Sequence, residues 1–206
     1  MEFIQITDIQ QAQFKAALDI YEYAFPANER HPLEVITARV AAGHNQLYIA
    51  HNANEVIFMA LLWPLRNTRF ILLDYMATSA ASRGQNIGSR FLQHLQAIAR
   101  EQDKYYIIEA EHPGYGDNKE ERQRRIAFYK KNGAKELKNV RYILPALQGD
   151  TTTEMILMIL PDYPGGKIDV MIVNNLIHQL YKELYNRNAA DIGPQTHNAN
   201  EQIELI

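Results

Sequence analysis

One apolar run constrains the fold more than any other feature of this sequence. Phe70-Ile71-Leu72-Leu73 lies inside a segment from Arg69 to Thr78 that contains neither proline nor glycine and has the pattern of a β-strand. A strand that is apolar at consecutive positions must be covered on both faces, whereas a strand with one wet face alternates apolar and polar residues. We therefore predict that this strand lies buried at the centre of a sheet.

The flanking segments predict strands that first meander and then alternate with helices. Residues 46–51 and 55–63 have the pattern of a β-hairpin, and apolar residues recur at helical spacing over 87–99, behind the central strand. Near the start of the chain, Thr7 and Gln10 form a capping-box pattern, which predicts where the first helix begins. Together these patterns predict an α/β sandwich with a mixed sheet.

Periodicity and composition divide the chain into three parts. Residues 1–162 are predicted to form the α/β domain. Apolar residues at helical spacing then predict a helix within 163–187, which packs either on the domain or against a second subunit in a homodimer. Residues 188–206 are polar and rich in Asn and Ala, and this composition predicts a tail.

Charge and composition exclude several classes of protein. The 206 residues carry a formal net charge of -3, which argues against a nucleic-acid-binding protein. There is no cysteine, and the seven histidines lack the close spacing of metal ligands, so no metal is expected. No apolar stretch reaches the roughly 18 residues of a membrane helix, so no membrane contact is expected either. Because the first residues also lack the pattern of a secretory signal, a cytoplasmic protein is predicted.

The loop behind the central strand is suited to bind an anion. Gly84, Asn86 and Gly88 lead directly into the amphipathic helix. The first N–H groups of a helix have no intrahelical partner and carry the positive end of its dipole, and glycine lets a phosphate approach them closely. An ordinary strand-to-helix turn fits the glycines alone equally well. Neither GxxxxGK[ST] nor GxGxxG occurs at this turn, which argues against a nucleoside triphosphate or a dinucleotide.

The same loop resembles the acyl-CoA motif of the GNAT superfamily of N-acetyltransferases, Gln/Arg-x-x-Gly-x-Gly/Ala. Arg83 occupies the first position and Gly88 the last, while Asn86 replaces the first glycine. Asparagine is the non-glycine residue that most readily takes a left-handed conformation, so the turn is expected to persist. Further along, the segment from Phe128 to Gly133 resembles the family's Phe-Tyr-x-x-x-Gly signature, and the resemblance covers roughly residues 1–160.

The resemblance implies a GNAT-like fold, in which helices flank a mixed and mostly antiparallel central sheet, and it implies acetyl-CoA as co-substrate without a metal. In the family, the backbone that corresponds to Met76, Ala77 and Thr78 lies beside the pantetheine arm and the thioester carbonyl. The diphosphate is expected at the loop and the first helical turn, which comprise Arg83, Gly84, Gln85, Asn86, Ile87, Gly88 and Ser89.

Five side chains are candidates for chemistry or acceptor binding. The resemblance places the hydroxyl of Tyr129 near the coenzyme A sulfur, where it can protonate the departing thiolate; a core tyrosine is the alternative. Glu109 and Glu111 alternate on one face of their strand, so both can take a proton from an ammonium in one cleft, or else form ion pairs with a neighbouring Arg or Lys. Asp74 and Glu29 are the substrate-binding candidates, and for Asp74 a base, an anchor and a satisfied hydrogen-bond partner are all open.

The predicted function is direct transfer of an acetyl group from acetyl-CoA to a primary amine of a small molecule or peptide. The acidic candidates favour a cationic acceptor, such as a polyamine, an aminoglycoside or a peptide amine. Two alternatives belong to other classes. One is a catalytically silent acyl-CoA-binding sensor, which the replacement of glycine by Asn86 favours. The other is an interaction protein that uses its C-terminal helix as a partner surface.

Overall fold

A single large sheet organises the described part of the chain. The computed structural model describes residues 1–53, 55–114, 118–145, 152–187 and 202–206. The strands are β1 (Ile4–Ile6), β2 (Gln46–Asn52), β3 (Glu55–Pro64), β4 (Phe70–Thr78), β5 (Tyr105–Glu111), β6 (Lys135–Glu136), β7 (Tyr142–Leu144), β8 (Thr153–Leu160), β9 (Lys167–Asp169) and β10 (Gln202–Glu204). The helices are α1 (Ala12–Ala24), α2 (Leu33–Ala41), α3 (Ile87–Gln102), α4 (Lys119–Lys131) and α5 (Val170–Leu184).

The order of strands in the large sheet is β1-β2-β3-β4-β5-β8-β6, and β7 also pairs with β8. Among the described strands, only β4 and β5 pair in parallel, and the connection between them is α3. The remaining pairs are antiparallel, and β9 and β10 form a separate two-stranded sheet. The prediction of an α/β fold with a mixed, mostly antiparallel sheet is therefore confirmed.

Strand β4 is buried on both faces, as its apolar run predicts. Phe70 and Leu72 pack in the same apolar cluster as residues of α5, while Ile71 and Leu73 pack in the cluster that contains the buried residues of α3. All four side chains are less than a tenth exposed. Because helices lie against both faces, an uninterrupted apolar sequence is what this position requires.

Helices α1 and α2 share one face of the sheet with α5, and α3 and α4 cover the opposite face. The alternation along β3 shows this division, because Met59 and Leu61 pack with α1 and α2 while Trp63, on the same face, packs with α5. Phe58 points to the opposite face of the sheet and packs with α3. The face shared by α1, α2 and α5 therefore has a junction between two groups of helices, and the cavity described below lies there.

Helix α1 begins later than the Thr7–Gln10 pattern predicts, so the capping-box prediction is wrong. The helix starts at Ala12, and its N-cap residue, Gln11, forms no side-chain cap. Instead, Oδ1 of Asp8 accepts the backbone N–H of Gln10 at 2.9 Å. An aspartate that binds the N–H two residues ahead stabilises a turn, which competes with the helix.

The C-terminal helix packs on the domain. Val173, Leu176, Ile177 and Leu180 of α5 are buried against the sheet. Of the predicted tail, residues 188–201 lie outside the described residues, but its end is packed: β10 pairs with β9 from Gln202↔Asp169 to Glu204↔Lys167. The boundaries at 162 and 187 and the homodimer contact stay predictions.

Candidate active site

Strands β4 and β5 separate halfway along their length. Their parallel pairing runs from Phe70↔Tyr105 to Leu73↔Ile108, although β4 continues to Thr78 and β5 to Glu111. Beyond Leu73, β4 pairs with β3 only, among the described strands. Backbone groups on the β5 side of β4 are therefore left without a strand partner over the stretch that contains Met76, Ala77 and Thr78, the residues that the family resemblance assigns to the pantetheine arm.

A β-bulge marks the point of separation. On β3, Leu62 pairs with Leu73 and Leu61 pairs with Tyr75, so Asp74 is the extra residue on β4. A bulge inserts a residue into one strand and bends it, and bulges are frequent beside active sites. Here the bulge places Asp74 and Tyr75 on the same cavity, although consecutive strand residues otherwise point to opposite faces.

The turn before α3 has the geometry of an anion site. Gly84 has φ 80°, and Asn86 has φ 58° and ψ 21°, so asparagine takes the left-handed conformation that its motif position needs. The side chain of Asn86 makes no cap hydrogen bond, and the first N–H groups of α3 therefore have no intrahelical or capping partner. The residues from Arg83 to Asn86 are exposed. This arrangement leaves the positive end of the helix open to a phosphate.

Helices α3 and α4 approach each other closely at Gly88. A Cβ atom at Gly88 would lie 3.2 Å from Cζ of Phe128 and 3.7 Å from Cε of Met76. Glycine therefore eases the helix packing here and gives a ligand access to the backbone at the start of α3. The contact also joins the two motifs of the family resemblance, because Phe128 precedes the candidate acid Tyr129.

Tyr129 is a hydroxyl donor with no partner among the described residues. Its ring packs with the apolar residues between α3, α4 and the sheet, and its hydroxyl forms no hydrogen bond to any residue in the described ranges. Burial raises the pKa of Tyr129, and the positive charge of Arg125 partly opposes this. The phenol therefore keeps its proton at neutral pH, which is the state that an acid requires.

A cavity of about 130 Å³ opens beside the separated strands, on the face shared by α1, α2 and α5. It contains all four of the carboxylates predicted from the sequence, Glu29, Asp74, Glu109 and Glu111. The other lining residues are Phe25, His31, Tyr75, Arg125, Leu144, Pro145, Thr153, Met155 and Tyr185. The fold thus gathers acidic side chains from three separate segments of the chain into one site.

Two of the four carboxylates already have partners. Glu111 forms ion pairs with Arg122 at 3.3 Å and with Arg125 at 3.6 Å. Glu109 accepts hydrogen bonds from the hydroxyl of Tyr142 at 2.5 Å and from that of Tyr185 at 2.9 Å. Burial raises the pKa of Glu109, and these two hydrogen bonds partly lower it. Glu111 thus has the ion pairs that were the alternative to a catalytic role.

The other two carboxylates, Asp74 and Glu29, are available to a ligand. Burial raises the pKa of Asp74 to about 7, although the charge of Arg39 and a hydrogen bond with Asn45 oppose the shift, and its Oδ2 atom is buried without a hydrogen-bond partner. The carboxylate of Glu29 has no hydrogen bond or ion pair to a residue in the described ranges. Burial and the nearby charge of Glu111 raise the pKa of Glu29.

Four residues of the site were not found from the sequence. His31 lies on the cavity wall, and burial together with Arg39 lowers its pKa to about 4, so the imidazole is neutral at pH 7. Arg125 of α4 also lines the cavity and contacts Glu111. Tyr142 and Tyr185 both donate to Glu109, and Tyr185 follows α5, outside the segment that resembles the family. No local pattern in the sequence indicates that these tyrosines meet a buried glutamate.

The described residues contain neither a metal-ligand cluster nor a membrane-spanning helix. Within those ranges, no group of three or more His, Asp or Glu is arranged to hold a metal ion. None of the helices there combines the length and the hydropathy that a membrane crossing needs.

Comparisons with known proteins agree with this geometry. Residues 43–133 match the family described as acetyltransferase (GNAT) domain. None of the curated protein sequences compared with the chain matches it.

Solved structures share the fold. A putative acetyltransferase of the GNAT family from Bacteroides thetaiotaomicron superposes with a TM-score of 0.76 at 23% identity, covering 91% of this chain and 100% of that one. A GNAT family acetyltransferase from Elizabethkingia anophelis with acetyl-CoA bound gives 0.53 at 16% identity, covering 78% and 97%. An aminoglycoside 6'-N-acetyltransferase complexed with coenzyme A gives 0.58 at 13% identity, covering 77% and 96%.

The match to the family spans both motifs, and the fold agrees with it. Residues 43–133 match the acetyltransferase (GNAT) domain, and the described chain has the fold that solved GNAT acetyltransferases share.

Proposed function

We propose that the protein transfers the acetyl group of acetyl-CoA directly to a primary amine of a small molecule or peptide. The observation that carries the proposal is the separation of β4 from β5 after Leu73 and Ile108. The acidic cavity lies beside this opening, and α3 begins on the opposite face of the sheet. A thioester that lies in the opening would be reached by an amine from the cavity, while its diphosphate lies at the start of α3.

Acetyl-CoA fits the groups that the chain leaves without partners. The unpaired backbone of Met76, Ala77 and Thr78 would hold the pantetheine arm and donate to the thioester carbonyl, where negative charge develops during transfer. The first N–H groups of α3 and the side chain of Arg83 would hold the diphosphate. The related structures from Elizabethkingia anophelis and of the aminoglycoside acetyltransferase, which hold acetyl-CoA and coenzyme A, support this assignment.

The proton transfers are assigned to the side chains with suitable protonation states. An amine arrives as an ammonium and must lose a proton before its lone pair can attack the thioester carbonyl. Asp74 takes that proton, because its side chain lines the cavity and its pKa of about 7 lets it ionise at neutral pH. As the carbon–sulfur bond breaks, Tyr129 gives a proton to the departing sulfur, and the second proton lost by the attacking nitrogen restores the Tyr129 hydroxyl. Glu109 and Glu111 shape the charge of the cavity and remain bound to their own partners.

The test separates binding from chemistry. Calorimetric titration with acetyl-CoA is expected to show saturable binding that Arg83→Glu/Gly88→Asp abolishes. Arg100→Glu, an exposed reversal in the last turn of the same helix, is the matched control and is expected to bind normally. Release of the coenzyme A thiol is then followed with a panel of amines. Tyr129→Phe is expected to bind acetyl-CoA normally and to turn over at least about 100-fold more slowly.

The alternatives give different results in the same experiment. Tight binding of acetyl-CoA without thiol release to any amine identifies a silent acyl-CoA-binding protein and refutes the transferase. Absence of binding at millimolar acetyl-CoA refutes both and leaves an interaction scaffold. Normal turnover of Tyr129→Phe removes this tyrosine from the mechanism but leaves the transferase in place.

A further inference from the structure

We propose, resting on the transferase function above, that Arg39 is a positioning residue for the reaction. Helix α5 and Trp63 hold its guanidinium in place, and its positive charge favours the form of Asp74 that accepts the proton of the amine. Arg39 lies on α2, and both α2 and α5 lie outside the segment that matches the family. The inference therefore connects the C-terminal helix to the proposed base.

Two contacts hold the guanidinium of Arg39. Its Nη2 atom donates to the backbone carbonyl of Leu184, the last residue of α5, at 2.9 Å. Carbonyls at the C-terminal end of a helix lack intrahelical partners and carry the negative end of its dipole, so a cation is stabilised there. Cζ of Arg39 also lies 5.0 Å from the centre of the Trp63 ring, within the range of a cation–π interaction.

Helix α5 also holds the ring on which Arg39 rests. Nε1 of Trp63 donates to Oε2 of Glu183 at 3.1 Å, and the side chain of Trp63 is 5% exposed. Glu183 in turn accepts a hydrogen bond from Nε2 of Gln179, one turn earlier on α5, at 2.7 Å. Both supports of the guanidinium therefore depend on the C-terminal end of α5.

The register of the sheet brings Asp74 to the same region. Leu62 pairs with Leu73, and Asp74 is the extra residue that follows on β4. Asn45 links this level of the sheet to α2, because its backbone N–H donates to the carbonyl of Arg39 at 3.1 Å and its Nδ2 donates to the carbonyl of Leu62 at 3.4 Å. Asn45 is 3% exposed, so this link lies in the interior.

Arg39 and Asp74 each have an unpaired atom in the interior. Nη1 of Arg39 and Oδ2 of Asp74 are buried without a hydrogen-bond partner among the described residues. Opposite charges stabilise each other more strongly in the interior than in water. Burial raises the pKa of Asp74, and Arg39 opposes the rise; Glu109 adds to it, and a hydrogen bond with Asn45 lowers it. Arg39 thus supplies the positive charge that favours the carboxylate.

The uncharged groups around Asp74 keep their protonation state near neutral pH. Burial lowers the pKa of His31 to about 4, and Arg39 lowers it further, so the imidazole is neutral. Three phenols that feel the charge of Asp74 have pKa values raised by burial and stay protonated: Tyr21, Tyr75 and Tyr185. Glu109 is present in every variant compared below, so a change in the titration of Asp74 is attributable to Arg39.

The first experiment follows kcat/KM for thiol release from about pH 5 to about pH 10. The amine is whichever of butylamine, diaminobutane and a tripeptide reacts fastest, and its own titration is the same for every variant. Arg39→Met is expected to move the midpoint of the acid limb up by about one pH unit or more, as loss of a nearby opposite charge does. The value at pH 7 then falls about fivefold, whereas above about pH 9 it stays within about twofold of the wild type.

Two further variants test the cause of the shift. Arg39→Lys keeps a positive charge and is expected to shift the midpoint in the same direction but less, because an ammonium lacks the planar fork that fits Leu184 and Trp63. Arg100→Met removes an exposed arginine in the last turn of α3 and is expected to leave the midpoint unchanged. If Arg39→Met does not fold, Arg39→Lys alone tests the inference.

A second experiment does not depend on transfer. Arg39 stabilises the charged form of Asp74, so the free energy of unfolding that Arg39→Met loses is expected to grow as the pH rises through about 7, where Asp74 ionises in the folded chain. In the background of Asp74→Asn, the same substitution is expected to cause a loss that stays constant over this range. Urea unfolding of the four proteins measures both.

The outcomes separate this inference from the proposed function. An unchanged midpoint in the Arg39 variants, or a loss of activity by the same factor at every pH, overturns the inference while transfer to an amine stands. A pH-dependent loss of stability that persists in Asp74→Asn also overturns it. Absence of thiol release with all three amines, while acetyl-CoA binds, overturns the proposed function and the inference with it.

Discussion

Replacing Asp74 by asparagine is expected to change stability and activity in opposite directions. The substitution keeps the shape of the side chain and removes its charge. Asp74 is buried at the bulge of β4, and its carboxylate is assigned here as the base that takes the proton of the acceptor. Ionising a buried carboxylate is unfavourable for the fold, so a buried catalytic carboxylate is expected to lower the stability of the protein when it is charged.

The size of the stability change follows from the pKa of Asp74. That pKa is raised from 3.8 to about 7, chiefly by burial. Below about pH 4 the carboxyl is protonated in both the folded and the unfolded chain. As the pH rises towards about 7, the unfolded chain loses the proton first, so the free energy of unfolding falls; above about 7 the loss is complete, on the order of 4 kcal/mol. Asp74→Asn removes this loss and is expected to be more stable than the wild type at about pH 8, by up to about 4 kcal/mol.

The activity change has the opposite sign. Only the ionised carboxylate accepts a proton, so kcat/KM of the wild type is expected to rise with pH and to level off above about pH 7. One pH unit below the pKa, about a tenth of the molecules are ionised, and activity should fall to match. In Asp74→Asn, kcat/KM is expected to fall at least about 100-fold and no longer to rise with pH in this range.

Two measurements on the same protein check both signs. Urea unfolding at several pH values gives the free energy of unfolding, and thiol release across the same range gives kcat/KM. Asp19→Asn, an exposed aspartate on α1, is the control and is expected to leave both unchanged. A variant that keeps kcat/KM within twofold of the wild type refutes the role of Asp74 as base. A variant that is less stable than the wild type at about pH 8 refutes the reasoning from burial.

Three further predictions concern the frame around the site. Gly88→Ala places a methyl group 3.2 Å from Cζ of Phe128, so the Phe128 ring must move by a few tenths of an ångström, and calorimetry is expected to show weaker binding of acetyl-CoA. Ile203→Ala removes a side chain that is 5% exposed, and urea unfolding should show a loss of about 2–5 kcal/mol; no loss would mean that β10 contributes nothing to the fold. Tyr185→Phe removes a hydrogen bond to Glu109, so the free energy of unfolding should fall by about 2 kcal/mol where the glutamate is ionised, and by less at a pH low enough to protonate it.

Features set by local sequence could be predicted, because their causes lie within a few residues. The apolar run of β4 requires cover on both faces wherever the strand lies. The left-handed turn at Asn86 follows from the conformational preference of asparagine. Glu109 and Glu111 both line the cavity because alternate residues of a strand share a face. Each of these inferences needs only the chain on either side of the residue concerned.

Features set by pairing between distant segments could not be predicted. Alternation along β4 would send Asp74 and Tyr75 to opposite faces; they share the cavity only because β3 pairs around Asp74 and leaves it as a bulge. The partners of Glu109 come from Tyr142 and Tyr185, which are 33 and 76 residues away. The sequence therefore named the carboxylates but did not separate those with partners from those without.

The residues proposed to bind acetyl-CoA and those that line the acceptor cavity lie in different parts of the sequence. The loop, the start of α3 and the separated strands lie within residues 43–133, the segment that matches the family. The cavity takes Glu29 and His31 from before that segment and Leu144, Met155 and Tyr185 from after it. A fold can keep one way of holding a thioester while the surrounding segments change what amine can approach it. For this chain, the acceptor should therefore be sought through the residues outside the family match, such as Glu29, whose carboxylate has no partner among the described residues.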